Sequence, residues 1–229
     1  MNLLAPTDIQ AALLSLQVAM VATLLALPAG FVVAYLLTFS RLPGKPLIDA
    51  LVSLPLVLPP VVVGYLLLLL LGHDSLIGRG LDRLGLQILF TPRAAVLASL
   101  VVGFPLLVRS VRLAMEAIDP LLLDAARTLG AGSADRLLTL ILPLSGRGLL
   151  AGASLMFARS LGEFGATILV AGNIPGLTRT IPLAIYDYTS VPGGEAQAAG
   201  LCMLAALLAL AVLLLNDFLL KQLQRRSRS

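Results

Sequence analysis

The chain has 229 residues, of which 59% are hydrophobic and 12% charged, with a formal net charge of +4 and a mean hydropathy of +0.99. That balance excludes a water-soluble globular protein and places the chain in a membrane. The length allows one bundle of several spans with no separate soluble domain of ordinary size, so residues 1–229 read as a single membrane domain. Cys202 is the only cysteine, so one chain builds neither a disulfide nor a thiolate metal cluster, and the residue reads as a small hydrophobe.

Segments free of ionisable residues give the spans, because a helix needs about 20 apolar residues to cross the hydrocarbon. Ile9 to Ser40 is the first and Ala50 to Gly72 the second. No cation precedes Ile9, so the first span lacks the charged start of a cleavable signal peptide and is expected to remain in the mature protein. The second contains Leu54 to Gly64, LPLVLPPVVVG, whose Pro55, Pro59 and Pro60 must break the hydrogen-bond ladder. Freed carbonyls in a membrane are tolerated only against protein or water, so this broken helix is expected to line an interior cavity. Ala94 to Val108 forms a third span, extended by apolar residues on both sides, and Leu137 to Gly162 a fourth. Phe164 to Asn173 is too short to cross and reads as a re-entrant or interfacial piece. Ala196 to Asn216 completes a count of five spans, with six as the alternative.

Lys and Arg near span ends are retained on the cytoplasmic side. With five spans, Arg41, Lys45, Arg109, Arg112, Arg127, Arg136, Arg147, Lys221, Arg225, Arg226 and Arg228 fall on one side, against Arg79, Arg83, Arg93 and Arg179 on the other. The N-terminus is therefore expected outside and the C-terminus in the cytoplasm. The basic tail, 220–229, reads as an anchor to anionic membrane lipid and not as a nucleic-acid site.

Between the third and fourth spans lies a hydrophilic stretch, Asp124 to Pro143, reading DAARTLGAGSADRLLTLILP. Asp119 is a candidate N-cap before Pro120, and Leu121 to Leu129 has helix-forming composition. Gly130 and Gly132 permit a sharp turn, and Ser133 is placed to cap a second short helix with Arg136 in its first turn. Two short helices, partly apolar and charged at their edges, offer a partner protein something to grip.

There is no G-x4-G-K-[ST], and Gly44-Lys45 lacks the flanking residues of one, so no phosphate-binding loop is available. His73, the only histidine, excludes a His-rich zinc site and reads as a solvated loop residue. No carboxylate pair and no nucleophile with a base stands at catalytic spacing. No catalytic residue, metal site or cofactor is assigned. Arg159 and Glu163 read as the only charges inside a span, four residues apart on one helical face. Ionisable groups at depth mark a pathway, though the two can equally pair to hold a helix end or a dimer seam.

Asp124-Ala125-Ala126, Gly130 and Leu142-Pro143 resemble the EAA loop, E-A-A-x3-G-x9-I-x-L-P, of permease subunits of bacterial ABC importers, with Asp124 in the place of Glu and Leu140 in the place of Ile. Arg159 to Thr167, RSLGEFGAT, then Asn173 to Gly176, NIPG, and Val191 to Glu195, VPGGE, resemble the molybdate, tungstate and sulfate branch. The resemblance runs from about Ala12 to Asp217, with about 9–219 as the type-1 transmembrane domain and 119–143 as the coupling loop. It implies an all-α type I importer permease that works as a homodimer with two cytoplasmic ATP-binding subunits and a periplasmic oxyanion-binding protein. Asp124, Ala125, Ala126, Arg127, Gly130, Leu142 and Pro143 would then couple to the ATPase, and this chain would hydrolyse no ATP itself. The resemblance favours molybdate over tungstate or sulfate.

For the pathway or gate the candidates are Pro59, Pro60, Arg159, Ser160, Glu163 and Thr167, with Ser154 and Asn173 as further neutral donors. A divalent oxyanion is attracted by Arg159 and repelled by Glu163, so a gate held by that pair fits better than a simple anion site. A secondary transporter would need its own ion-coupling site and usually internal repeats, which the chain does not display, and a mere scaffold would not need proline-broken spans.

Overall fold

The computed structural model describes residues 5–226, all helix and connecting loop, with no strand among them. Eleven helices follow in order: α1 Pro6–Phe39, α2 Lys45–Val57, α3 Pro60–Leu71, α4 Leu76–Arg83, α5 Pro92–Glu116, α6 Pro120–Thr128, α7 Ser133–Arg136, α8 Leu142–Leu161, α9 Gly165–Val170, α10 Ile181–Thr189 and α11 Glu195–Arg226. A π-helical turn, Leu137–Ile141, joins α7 to α8.

Four stretches are long and apolar enough to cross a membrane: Pro6–Phe39, Pro92–Glu116, Ser133–Leu161 and Glu195–Leu215. The remaining expected span, Ala50 to Gly72, is not one helix. Its halves, α2 and α3, meet at 114°, a bend far beyond an ordinary proline kink, because Pro59 and Pro60 both lack the N–H that would continue the ladder. Pro60 instead opens α3, where its fixed φ suits the first turn. Phe164 to Asn173 holds only the six-residue α9, too short to cross a membrane as a helix. No sixth candidate is found among the described residues.

The bundle closes through small residues, as expected where lipid leaves close packing as the main attraction between helices. On α1 a stripe of Ala11, Ser15, Ala19, Ala22, Ala26, Gly30 and Ala34 is buried. A Cβ on Gly30 would lie 2.7 Å from the Leu107 side chain of α5. The most extensive packing joins α5 to α8, where a Cβ on Gly148 would meet Ala114 and one on Gly152 would lie 3.0 Å from the Leu107 carbonyl. Buried Leu107, Val111, Met115 and Met156 fill the centre of this core.

A second core lies around α9, where Val63 and Leu67 of α3 pack with Ala98 and Val102 of α5 and Ala166 and Val170 of α9. The Phe90 N–H donates to the Val170 carbonyl at 2.8 Å and ties the segment before α5 to the end of α9. The basic end of the tail, 227–229, which includes Arg228, lies outside the described residues.

Candidate functional site: the loop between α5 and α8 and the broken segments of the membrane domain

The hydrophilic loop folds by local rules. The Asp119 carboxylate accepts the Leu121 N–H at 2.9 Å, and Pro120 occupies the first turn of α6. At the other end Gly130 has φ +87, and its N–H donates to the Arg127 carbonyl at 3.0 Å while the Ala131 N–H reaches back to Ala126 at 2.9 Å. That double bond pattern is the Schellman motif, which needs a left-handed residue where Gly130 stands.

α6 buries none of its residues, and Leu129 just beyond it is 87% exposed. Asp124 and Arg127 pair at 3.2 Å with both side chains well exposed, a contact of about 0–1 kcal/mol that leaves their charges available to a partner. Between α6 and the ends of α1 and α5 lies an open cavity of about 370 Å³ lined by Phe39, Met115, Leu123, Asp124 and Arg127 among others.

The second helix of the expected pair is not independent. α7 has four residues and runs through the π turn straight into α8. Nor does Ser133 cap it: Gly132 occupies the N-cap position, and the Ser133 hydroxyl accepts a long 3.4 Å bond from Arg136. Pro143 explains the widened turn, because it donates no N–H and its ring crowds the carbonyl four residues back. The Leu142 N–H accordingly reaches Leu137, five residues back. Leu142 and Pro143 thus fix how the loop enters the span.

About 24 Å further along α8, by helical rise, Arg159 meets Glu163 at 2.7 Å. The helix ends at Leu161, so the two do not share a helical face; Glu163 stands in the gap before α9. Its side chain is 1% exposed, against 31% for Arg159. The second carboxylate oxygen accepts the Ala166 N–H at 2.8 Å, capping the first turn of α9. Ser160 donates to the Ser99 carbonyl of α5 at 3.4 Å, and Thr167 is buried.

α9 sits directly on the proline break. A Cβ on Gly165 would lie 3.0 Å from Pro60 and one on Gly64 2.7 Å from the Ala166 Cα. The fold therefore brings Pro59, Pro60, Glu163 and Thr167 into one region, with Arg159 and Ser160 at its edge. Ser154 instead donates to the Leu150 carbonyl of its own helix at 3.0 Å. The Asn173 Oδ1 accepts from Arg179 at 2.9 Å, and Arg179 also holds Asp187 at 2.8 Å.

One sequence expectation fails here and another is incomplete. Arg159 and Glu163 are not the only charges in the spans, because α5 continues to Glu116 and takes in Arg109 and Arg112. Arg112 binds Glu116 at 2.7 Å and Asp49 of α2 at 2.9 Å. The Arg112–Glu116 spacing was visible in the sequence, but Asp49, 63 positions earlier, gave no signal. His73 is solvated as expected but has a partner: its Nδ1 lies 2.6 Å from Asp82 of α4, and that hydrogen bond raises its pKa above the ordinary 6.5. No cluster of His, Cys, Asp or Glu able to hold a metal ion occurs among the described residues.

An all-helical bundle with four or five candidate spans and a capped, exposed loop helix defines a polytopic membrane protein. Its backbone is similar to that of a chain of the MetNI methionine ABC transporter in an inward-facing conformation, with TM-score 0.75 and 18% identity over 94% of this chain and 95% of that one. Residues 26–229 match the family described as binding-protein-dependent transport system inner membrane component. The chain belongs to that family, and its fold is that of type I importer permeases.

Among relatives, the molybdenum transport system permease protein ModB of Escherichia coli (strain K12) is 51% identical over 95% of this chain and 96% of its own length. ModB of Haemophilus influenzae is 50% identical over 96% of each chain. The putative molybdenum transport system permease protein YvgM of Bacillus subtilis is 42% identical over 76% of this chain.

Proposed function

We propose that this chain is the membrane permease subunit of an ATP-driven molybdate importer. It works as a homodimer with two cytoplasmic ATP-binding subunits and an external oxyanion-binding protein. The observation that carries the reading is 51% identity to a molybdenum permease over nearly the whole of both chains. Relatedness at that level preserves packing and site together, whereas a shared fold alone leaves the cargo open.

In this reading the exposed α6, with Asp124, Ala125, Ala126, Arg127 and Gly130, seats in a cleft of the ATPase. Leu142 and Pro143 pass its movement into α8. Pro59, Pro60, Arg159, Ser160, Glu163 and Thr167 form the region that rearranges as the path opens. ATP hydrolysis belongs to the partner subunit. The N-terminus lies outside, and the loop and C-terminus lie in the cytoplasm, where the basic tail meets anionic lipid.

The test is uptake by vesicles holding the reconstituted complex, with the binding protein and radiolabelled molybdate outside and ATP inside. ATP-dependent uptake that excess sulfate fails to displace supports the reading. Preferential uptake of sulfate or tungstate overturns the choice of cargo, and no uptake of any of the three overturns the class. In the same vesicles a Gly80→Cys variant should react with an impermeant thiol reagent from the face that receives the binding protein; labelling from the ATPase face alone reverses the orientation.

A further inference from the structure

Between α2 and α5 lies a cavity of about 330 Å³ lined by Asp49, Ser53, Pro105, Arg109, Arg112 and Glu116, among others. That is roughly eleven times the share of liquid volume that one water takes. Its polar groups form two facing stripes, Asp49 and Ser53 at i, i+4 on α2, and Arg109, Arg112 and Glu116 at i, i+3, i+7 on α5. Arg109 stands about 10 Å along the helix axis before Glu116. A charge at that depth is costly against lipid, so this face of the pair looks onto water or a second chain.

The charges within the cavity are unevenly shared. Arg112 holds both carboxylates, at 2.9 Å for Asp49 and 2.7 Å for Glu116. Arg109 is exposed and has no hydrogen bond or ion pair among the described residues. Two arginines and two carboxylates thus leave one guanidinium unmatched, while its neighbour keeps both acids turned to itself. A guanidinium presents a fork of donors that matches the paired oxygens of a tetrahedral oxyanion.

Resting on the proposed role in oxyanion import, we propose that this cavity is a transit site for a tetrahedral dianion, with Arg109 as its ligand and Ser53 as a neutral donor. Arg112 does not bind the anion; it sequesters Asp49 and Glu116. The residual field of those two carboxylates keeps the site weak, and a passable site must release as well as bind. The same chemistry would accept the phosphate of an anionic lipid, so the experiment separates the two.

The full complex, free of nucleotide, is placed in nanodiscs of neutral phosphatidylcholine with Ser53→Cys in a Cys202→Ala background. The rate of modification by an anionic methanethiosulfonate is read with and without molybdate, tungstate or sulfate. The oxyanion should slow modification about tenfold, Arg109→Gln should abolish that protection, and Arg109→Lys should retain part of it. In vesicles Arg109→Gln should lower uptake by a similar factor at unchanged recovery of the assembled complex. Absence of protection by all three anions, in a complex that still transports, overturns the site and leaves the importer reading standing. Protection that arises only when anionic lipid is added also overturns it. Protection by sulfate and not molybdate supports the site and overturns the choice of cargo.

Discussion

Gly64 of α3 lies so close to Ala166 of α9 that a Cβ on the glycine would come 2.7 Å from the Ala166 Cα and 2.8 Å from its carbonyl oxygen. Both obstacles are backbone, which cannot swing aside as a flexible side chain does. The short α9 is thereby keyed to the helix that follows the proline break.

Gly64→Ala should therefore push α9 off α3, at about 1–3 kcal/mol, the range for overpacking a close contact. Thermal unfolding of the solubilised complex should show the loss, whereas Gly80→Ala, at a site with nothing within 4 Å of the added methyl, should leave the midpoint within error. Equal stability of the two variants would show that α9 moves freely.

Gly130 presents the opposite case, since a Cβ there would meet nothing within 4 Å and the whole penalty is its φ of +87. Gly130→Val should strain the Schellman turn by about 1–3 kcal/mol, and Gly130→Asn should do less harm, because Asn tolerates the left-handed region. The expected readout is loss of ATP hydrolysis stimulated by the binding protein in the Val variant and its partial survival in the Asn variant. Cys202, an exposed residue, gives the neutral Cys202→Ala control. Full stimulated hydrolysis and uptake in Gly130→Val would remove the loop from the coupling role.

At the Arg159–Glu163 pair the two ends are not equivalent, because the carboxylate is buried and the guanidinium is partly exposed. Arg159→Gln leaves a buried charge without its partner, which costs about 3–5 kcal/mol. Glu163→Gln removes that charge and keeps an acceptor for the Ala166 N–H, so it should cost less. The double variant should recover most of the loss. Thermal unfolding of the four proteins forms the cycle, and a Glu163→Gln variant less stable than Arg159→Gln would contradict it.

His73 is the chain's single histidine, so its titration is unambiguous by NMR with labelled histidine. Its pKa should exceed 6.5, because the hydrogen bond that the ring donates to Asp82, then that residue's charge, favours the protonated ring. The sign follows from linkage: a pKa raised on folding adds stability that is complete below the unfolded value and fades as pH rises through the folded one. Amides of α4 should thus exchange faster above that pKa than below it. Asp82→Asn should bring the His73 pKa down and flatten the exchange profile.

Much of this molecule was legible in one dimension. Span positions followed from hydropathy, and the caps of α6 from Asp119, Pro120 and Gly130, because backbone capping is satisfied within a few residues of chain. The break at Pro59 and Pro60 was equally local, since two missing N–H groups break a helix wherever they stand. What the tertiary structure alone decided is where distant segments meet: α9 on the break, α7 fused to α8 through the turn that Pro143 imposes, Asp49 against Arg112, and Glu163 as a cap beyond the helix end. In a soluble helix the apolar stripe announces the buried face. Here lipid accepts the same Leu and Val that the core does, so hydropathy does not mark the inward side, and only the small residues that let backbones touch reveal it once the helices are packed.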